Sequence, residues 1–391
     1  MSKQEVLPAI AASCWTEEEI RQQPAVWRET VNILEAMRAQ IDAFIDPLLK
    51  QPDLRIILTG AGSSAFAGDT LAPKLARMLS VPVSAVSTTD IVSDPLSYLP
   101  RNCPLLLVSF ARSGSSPESL AALKLAEQRN AHCYHLLITC NPQGELHQHY
   151  HQQANVLSLP LPAKTCDRGF AMTSSMTSMM LACLTVFNAM ESTPTQVEQL
   201  ADSVSHQFEA QQDLTRSPLQ RPDIQRVIWL GSGMLQGIAH ESALKLLELT
   251  AGKISASYES PLGFRHGPKS LVNPHTQVLL MVSNDPSIRR YDLDLLAELR
   301  NDNVAASVVA LAGRADNEIE QGEHYYLPDA GELDDSLLAL GFLSVAQVYA
   351  LAASLAFGIS PDNPSPEGRV NRVVQGVIIH PWQPIVDKEG A

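Results

Sequence analysis

The sequence has no CxxC pair, no cluster of basic residues and no basic-then-apolar start, and each absence narrows what the chain can be. Its six cysteines, Cys14, Cys103, Cys133, Cys140, Cys166 and Cys183, are scattered through 391 residues. A chain of that length needs no covalent staples, so they read as reduced thiols. Lys and Arg number 28 against 42 Asp and Glu, a net charge of −14. Clustered cations able to follow a phosphate backbone are missing, which argues against a nucleic-acid partner. An anionic small molecule would have to be held by local groups against the overall field. No uninterrupted apolar run approaches the roughly 20 residues of a membrane helix. The first 20 residues carry Glu5, Glu17, Glu18 and Glu19, where a secretory signal has a basic start and an apolar middle. The expectation is a cytoplasmic chain with no membrane partner and two domains of ordinary size. His147, His149 and His151 alternate and could share a strand face as metal ligands, but the surrounding Gln and Tyr predict a solvated loop and no metal.

What is present is a repeat. An apolar strand runs into a glycine turn at Arg55–Gly62 and again at Arg226–Gly233. A second strand follows in each half, Leu105 to Phe110 and Val278 to Ser283, but the next residues differ. The first half continues Ala111, Arg112, Ser113, Gly114, Ser115, Ser116; the second continues Asn284, Asp285, Pro286, Ser287. One repeat keeps an anion loop and the other does not, so the site should be single and asymmetric.

Thr16 to Glu19 matches a capping box, and Trp27, Val31, Ile33, Leu34, Met37, Ile41, Phe44 and Leu48 recur at helical spacing. These predict a helical leader over 1–50. The first half, 51–216, alternates predicted strands at 55–59, 81–87, 105–110, 135–140 and 156–159 with helices from Ser64, at 116–128 and from Thr173. A polar stretch, Gln211 to Pro222, is the predicted linker. The second half, 217–391, has predicted strands at 226–230, 277–282, 306–311 and 324–327 and helices at 236–250, 289–299 and 335–357. A proline-rich turn then leads into Val370 to Ile379. Strands alternating with helices imply an α/β fold of two mostly parallel sheets, each flanked by helices.

Ser113 to Ser116 open a helix directly after a buried strand. Hydroxyls and unpaired amides at a helix start favour a phosphate, and Arg112 adds a guanidinium; a Ser-rich turn that merely caps its helix is the plainer alternative. Ser63 and Ser64 should face the same crevice. The turn Gly60–Ala65 also fits the loose G-x-G-x-x-A dinucleotide fingerprint, but no acidic residue stands about 20 positions on, so no nicotinamide cofactor is expected. In the second half Glu241, Lys245 and Glu248 share one helical stripe, with Leu244 and Leu247 predicted to face inward. A surface ladder of ion pairs is one reading. The other is that the leucines around Glu248 desolvate it and suit it to proton transfer. Phe264, Arg265, His266, Gly267, Pro268 hold a single histidine in a rigid turn, where it could serve as a positioned acid or base.

Together these stretches resemble the sugar isomerase (SIS) fold in its doubled form. Over nearly the whole chain, and most closely at Gly60–Gly68, Phe110–Ser119, Tyr258–Ser270 and Pro366–Val377, the similarity is greatest to that family's galactosamine-6-phosphate deaminase/isomerase branch. The resemblance implies that Ser64, Ser113 and Ser116 bind phosphate or sugar hydroxyls; Ser63, Ser115 and Arg112 are the candidates beside them. It implies that Glu248 moves a proton between carbons 1 and 2, with Lys245 beside it. It further implies that His266 opens the sugar ring, reaching in from a neighbouring subunit of a dimer or larger homo-oligomer. Thr173, after Met172, matches a sugar-contacting position, and Arg369 lies near a C-terminal lysine of the isomerase half of glucosamine-6-phosphate synthase, another member of the family. Ala111 replaces a serine of the first loop, Arg112 a glutamine, and about two extra residues separate Glu248 from His266. The implied activity is deaminating aldose–ketose isomerisation of a hexosamine 6-phosphate, with no metal or organic cofactor. Because no glutaminase region precedes the leader, ammonia release is the expected direction. A deglycase of an amino-acid adduct and a non-catalytic sugar-phosphate sensor are the rival readings.

Overall fold

The computed structural model describes residues 14–189, 194–210, 221, 223–374 and 376–382. Apart from Arg221, the predicted linker lies outside the described residues. The chain divides into two compact units. One comprises 30–166, 179–191 and 373–391; the other comprises 1–29, 167–178 and 192–372.

The first unit holds a parallel sheet of β1 (Arg55–Thr59), β2 (Val83–Ala85), β3 (Leu105–Ala111), β4 (Cys133–Thr139) and β5 (Val156–Pro160), ordered β2-β1-β3-β4-β5. The second holds β6 (Arg226–Leu230), β7 (Ser255–Glu259), β8 (Thr276–Val282), β9 (Ser307–Ala312) and β10 (His324–Tyr326), ordered β10-β9-β8-β6-β7 and also parallel. The two orders are the same when read from β1 and from β6, so the repeat seen in the sequence is a repeat of topology. Every residue of the central strands β3 and β8 is buried, as a strand covered by helices on both faces requires. Leu105, Leu107, Ala122, Leu125 and Ala126 form part of one core; Val278, Leu280, Val282, Leu295, Leu296 and Leu299 form part of its counterpart.

Several local expectations are corrected. The leader is three helices, Trp15–Arg21, Gln23–Ala36 and Arg38–Leu49. Its first cap is Cys14 rather than Thr16, whose hydroxyl instead donates to Asp362 at 2.7 Å. Glu19 does not reach back to the cap; it accepts from the amides of Arg168 (2.5 Å) and Gly169 (3.1 Å). The break at Met37 shifts the buried phase, so that Ile45 rather than Phe44 is in the core. Strand β7, Ser-Ala-Ser-Tyr-Glu, escapes prediction because an edge strand has no apolar run to show. β2 is short because Ser87 already caps the following helix, Thr88–Ser93. His147 and His149 stand on a short helix, Glu145–Tyr150, rather than a loop, and His147 stacks on His151 at 4.6 Å between rings. Among the described residues no group of three or more His, Cys, Asp and Glu could hold a metal.

The largest departure concerns apolar length. Helix Asp335–Ala356 is long and apolar enough to cross a membrane, with mean hydropathy 1.8 over its most apolar stretch, yet that stretch is fully buried, and Leu355 and Ala356 at its C-terminal end are exposed. It is the core helix against which Met234–Leu249 packs. Two of its polar side chains bond inside: Tyr349 donates to Gln277 at 2.5 Å, and Gln347 Oε1 accepts from Gln23 at 2.8 Å. All six cysteines are free thiols, and burial pushes the Cys133 thiol up to about 12.

Candidate active site

The serine loops follow the C-terminal ends of β1 and β3, adjacent strands whose helices leave in opposite directions, the crevice in which an open parallel sheet takes ligands. The turn after β1 needs both glycines. A Cβ on Gly60 would lie 2.5 Å from Ser64 Cβ, and Gly62 has φ +57°. Ser63 and Ser64, buried, are the first residues of helix Ser63–Met78. After β3, Ser116 caps helix Pro117–Arg129, accepting from the Ser119 amide at 3.3 Å and donating to its hydroxyl at 2.6 Å. Ser113 Oγ accepts from the Ser115 amide (3.3 Å), and Ser115 Oγ from the Glu145 amide (3.1 Å). The loop is fixed from behind, Asn141 Nδ2 donating to the Ser113 carbonyl (2.9 Å) and the Leu146 amide to the Gly114 carbonyl (2.8 Å). Among the described residues nothing accepts from the amides of Ser113, Gly114 and Ser116. With the positive end of the helix behind them and the buried Arg112 alongside in the chain, these amides are placed as an anion's donors would be.

The corresponding crevice of the second sheet is closed to anions by its own carboxylates. Asp292 accepts from Ser232 Oγ (2.5 Å) and the Ser283 amide (3.0 Å), and Asp335 from Ser283 Oγ (2.5 Å) and the Asn284 amide (2.9 Å). Asp285 caps helix Pro286–Asp302 in place of a serine. Burial raises the carboxyl of Asp292 to about 7 and also raises that of Asp335. The asymmetry inferred from Ser113–Ser116 against Asn284–Ser287 thus has a physical basis: three carboxylates occupy the place of the anion loop.

Helix Met234–Leu249 carries the proposed proton-transfer residues. Lys245 is 1% exposed at its side chain and lies 3.4 Å from the fully buried Glu241; its Nζ also donates to Glu248, whose side chain is 24% exposed. The inward residues are Ala243, Leu246 and Leu249; Leu244 is half-buried and Leu247 exposed, contrary to expectation. Glu248 is therefore set by a buried ammonium and by solvent rather than by an apolar cage. The stripe is not a surface ladder, because two of its three members are inside the protein.

His266 sits in the turn between helix Pro261–Phe264 and the short 3-10 helix Pro268–Leu271, on a backbone that Gly267 bends with φ +129°. The imidazole is exposed and makes no hydrogen bond with the described residues, and no ion pair joins it to Glu248. The turn itself is braced: Arg265 pairs with Glu298 at 2.7 Å, and Lys269 with Glu298 and with Asp302 (2.6 Å). Thr173 is engaged by Asp167 through both amide (2.8 Å) and hydroxyl (3.0 Å), while Arg369 is exposed. The serine loops belong to the first unit; Glu248, Lys245, His266, Thr173 and Arg369 belong to the second.

Asp167 and Arg372, which no sequence motif marks, hold the loop before helix Ser174–Val186 together with Glu19. The nearest sequence signal is the Thr-Ser-Ser run at 173–175, and the carboxylate that gathers it stands six residues upstream. Comparison with known proteins adds to this geometry. Residues 48–189 and 223–356 match the SIS domain. The chain is 51% identical over 377 residues, 96% of its length and 98% of the relative's, to D-galactosamine-6-phosphate deaminase AgaS of Escherichia coli. It is 46% identical over 371 residues, 94% and 92% of the two lengths, to the D-galactosamine-6-phosphate deaminase AgaS of a Shewanella species. The crystal structure of tagatose-6-phosphate ketose/aldose isomerase from E. coli superposes with TM-score 0.90 at 48% identity, covering 97% of this chain and 99% of that one.

Proposed function

We propose that the chain, which belongs to the SIS domain family, is a deaminating aldose–ketose isomerase converting D-galactosamine 6-phosphate and water to D-tagatose 6-phosphate and ammonia. The observation that carries this reading is near-complete, 51% identical coverage of a relative named for that deamination. In this reading 51–216 supplies the phosphate loops, 217–391 the proton-transfer residues, and 1–50 the helical leader.

The chemistry follows from the residues. The cradle of Ser113, Gly114 and Ser116 amides, with Ser63, Ser64, Ser115 and Arg112, fixes the phosphate and so the sugar chain. His266, from a neighbouring copy in a dimer or larger assembly, moves the proton between the ring oxygen and the carbon 1 hydroxyl, opening the pyranose. The carbonyl formed at carbon 1 acidifies the carbon 2 hydrogen, which Glu248 removes as general base. The resulting enolamine takes that proton back at carbon 1, leaving an imine at carbon 2. Water adds to the imine carbon and ammonia leaves, giving the ketose. Lys245 holds Glu248 in place and counters the negative charge that develops on the carbon 1 oxygen. Thr173 and Arg369 contact the sugar. Ring opening itself creates the electron sink, so the sequence of steps needs no metal or organic cofactor. The pathway is amino-sugar catabolism in the cytoplasm.

Ammonia and ketose phosphate should be measured together with galactosamine 6-phosphate, glucosamine 6-phosphate, the N-acetylated sugar and an amino-acid adduct of a sugar phosphate. Stoichiometric ammonia and tagatose 6-phosphate from the first supports the reading. Turnover of the adduct alone establishes the deglycase instead, and binding without turnover of any of them establishes a sensor.

A further inference from the structure

Between Pro364 and Val374 the chain has neither helix nor strand and is largely exposed. The hydrogen bonds of its described residues stay inside the stretch, Val370 amide to Ser365 Oγ (3.2 Å) and Asn371 Nδ2 to the Gly368 carbonyl (3.2 Å), with one exception. The half-buried Arg372 donates through Nε to the carbonyls of Asp167 (3.0 Å) and Gly169 (3.2 Å), and through Nη2 again to Asp167.

The segment it grips is itself built with care. Asp167, fully buried, gathers the Thr173 and Ser175 amides (2.8 and 2.9 Å) and the hydroxyls of Thr173, Ser174 and Ser175 (3.0, 2.6 and 2.5 Å). Glu19 holds the amides of Arg168 and Gly169 from the other side, so tightly that a Cβ on Gly169 would lie 2.8 Å from Thr16 Oγ1 and 2.9 Å from Glu19 Oε2. The carboxylates thus take the amides and hydroxyls of the loop, and the guanidinium takes its carbonyls.

From this we infer that Arg372 is a positioning residue for substrate, clamping the C-terminal segment onto the loop 167–175, in which Thr173 is buried against Asp167. The inference rests on the proposed function, since it needs the C-terminal segment to meet the sugar. A planar guanidinium can hold two carbonyls at once; an ammonium is a point charge and does not reproduce the fork. Loss of the clamp leaves Asp167 and Glu19 in place, so the loop stays folded while the segment beside it drifts. A displacement of about 1 Å is enough to cost about 100-fold in rate.

The test compares wild type, Arg372→Ala and Arg372→Lys by ammonia release, thermal unfolding and calorimetric binding of galactosamine 6-phosphate. Arg372→Ala should show kcat/KM lower by roughly 10- to 100-fold, carried mainly by KM, with an unchanged unfolding midpoint. Added guanidinium ion should restore part of the loss in Arg372→Ala, and Arg372→Lys should not recover wild-type KM. Wild-type kinetics in Arg372→Ala, full recovery in Arg372→Lys, or a lower midpoint with unaltered KM would each overturn the inference. If wild type binds the sugar phosphate without turnover, the deaminase reading fails, and the clamp stands or falls on whether Arg372→Ala weakens that binding.

Discussion

Gly144 is the sharpest lever on the phosphate cradle, because it touches the loop only through backbone. A Cβ at this position would lie 2.4 Å from the Ser113 carbonyl oxygen, 2.8 Å from Gly114 Cα and 3.0 Å from Gly114 C. Real Cβ contacts do not go below 3.0 Å, so Gly144→Ala must push the loop back by at least the difference, 0.6 Å. No flexible side chain can absorb that movement. The amides of Ser113 and Gly114 would leave their bonding distance to a phosphate oxygen. Each hydrogen bond to a charged group is worth about 1.5–3 kcal/mol, so weakening one or two raises KM for the sugar phosphate by about 10- to 100-fold at little change in kcat. The fold should survive, since the φ of Gly144, −68°, is open to alanine. The assay is steady-state ammonia release with galactosamine 6-phosphate, beside Gly331→Ala, where the nearest atom would be 3.5 Å away and KM should not move. A folded Gly144→Ala enzyme with wild-type KM would refute the assignment of this loop to phosphate.

Other consequences follow from the same geometry. His266→Ala should lower kcat by about 100- to 10,000-fold, the usual worth of a general acid–base group, with an unchanged unfolding midpoint, because the exposed imidazole bonds to nothing within the described chain; a parallel loss of stability would contradict this. Lys245→Met should destabilise by about 3–5 kcal/mol in denaturant titrations, since it strands the buried Glu241 carboxylate. Adding Glu241→Gln should recover much of that loss, and additivity of the two would disprove the pairing. Glu19 and Asp292 are both raised to about 7, chiefly by burial. The folded state therefore binds their protons more tightly than the unfolded chain. The stability they confer is complete below pH 4 and is lost as pH rises to 7, up to a few kcal/mol. Calorimetric midpoints between pH 5 and 8 should fall, and fall less in Asp292→Asn; equal slopes would refute the assignment.

Much of this architecture is legible in the sequence because parallel strands buried on both faces leave dense apolar runs. Ile56 to Leu58 and Val278 to Val282 show where β1 and β8 lie, and the glycine turns show where each crossover begins. What escapes is whatever depends on a partner distant in sequence. The pattern Thr16 to Glu19 has the spacing of a capping box, yet Asp362 and the amides of Arg168 and Gly169 are better partners than the helix end. Glu248 reads as desolvated from its leucine neighbours, but helical geometry sends Leu246 and Leu249 inward and leaves Glu248 at the rim, paired with the buried Lys245. Ser, Gln and Tyr interrupt the apolar run of 335–356; folded, Tyr349 and Gln347 Oε1 bond to Gln277 and Gln23, and all but the ends of the helix is inside. The serine cradle was legible because its donors are contiguous. Arg372 was not, because its acceptors are carbonyls some 200 residues away, and a carbonyl leaves no trace in side-chain identity.

In the proposed function Glu248 moves the proton that releases ammonia. Its most direct test is ammonia formation from galactosamine 6-phosphate by wild type and by Glu248→Gln, with calorimetric binding of the substrate by both. The account predicts stoichiometric ammonia and tagatose 6-phosphate from wild type, a loss of at least about 1,000-fold in kcat in the variant, and retained binding, because Lys245 keeps Glu241. Turnover by Glu248→Gln near the wild-type rate, or a wild type that binds the sugar phosphate and releases no ammonia, would contradict it.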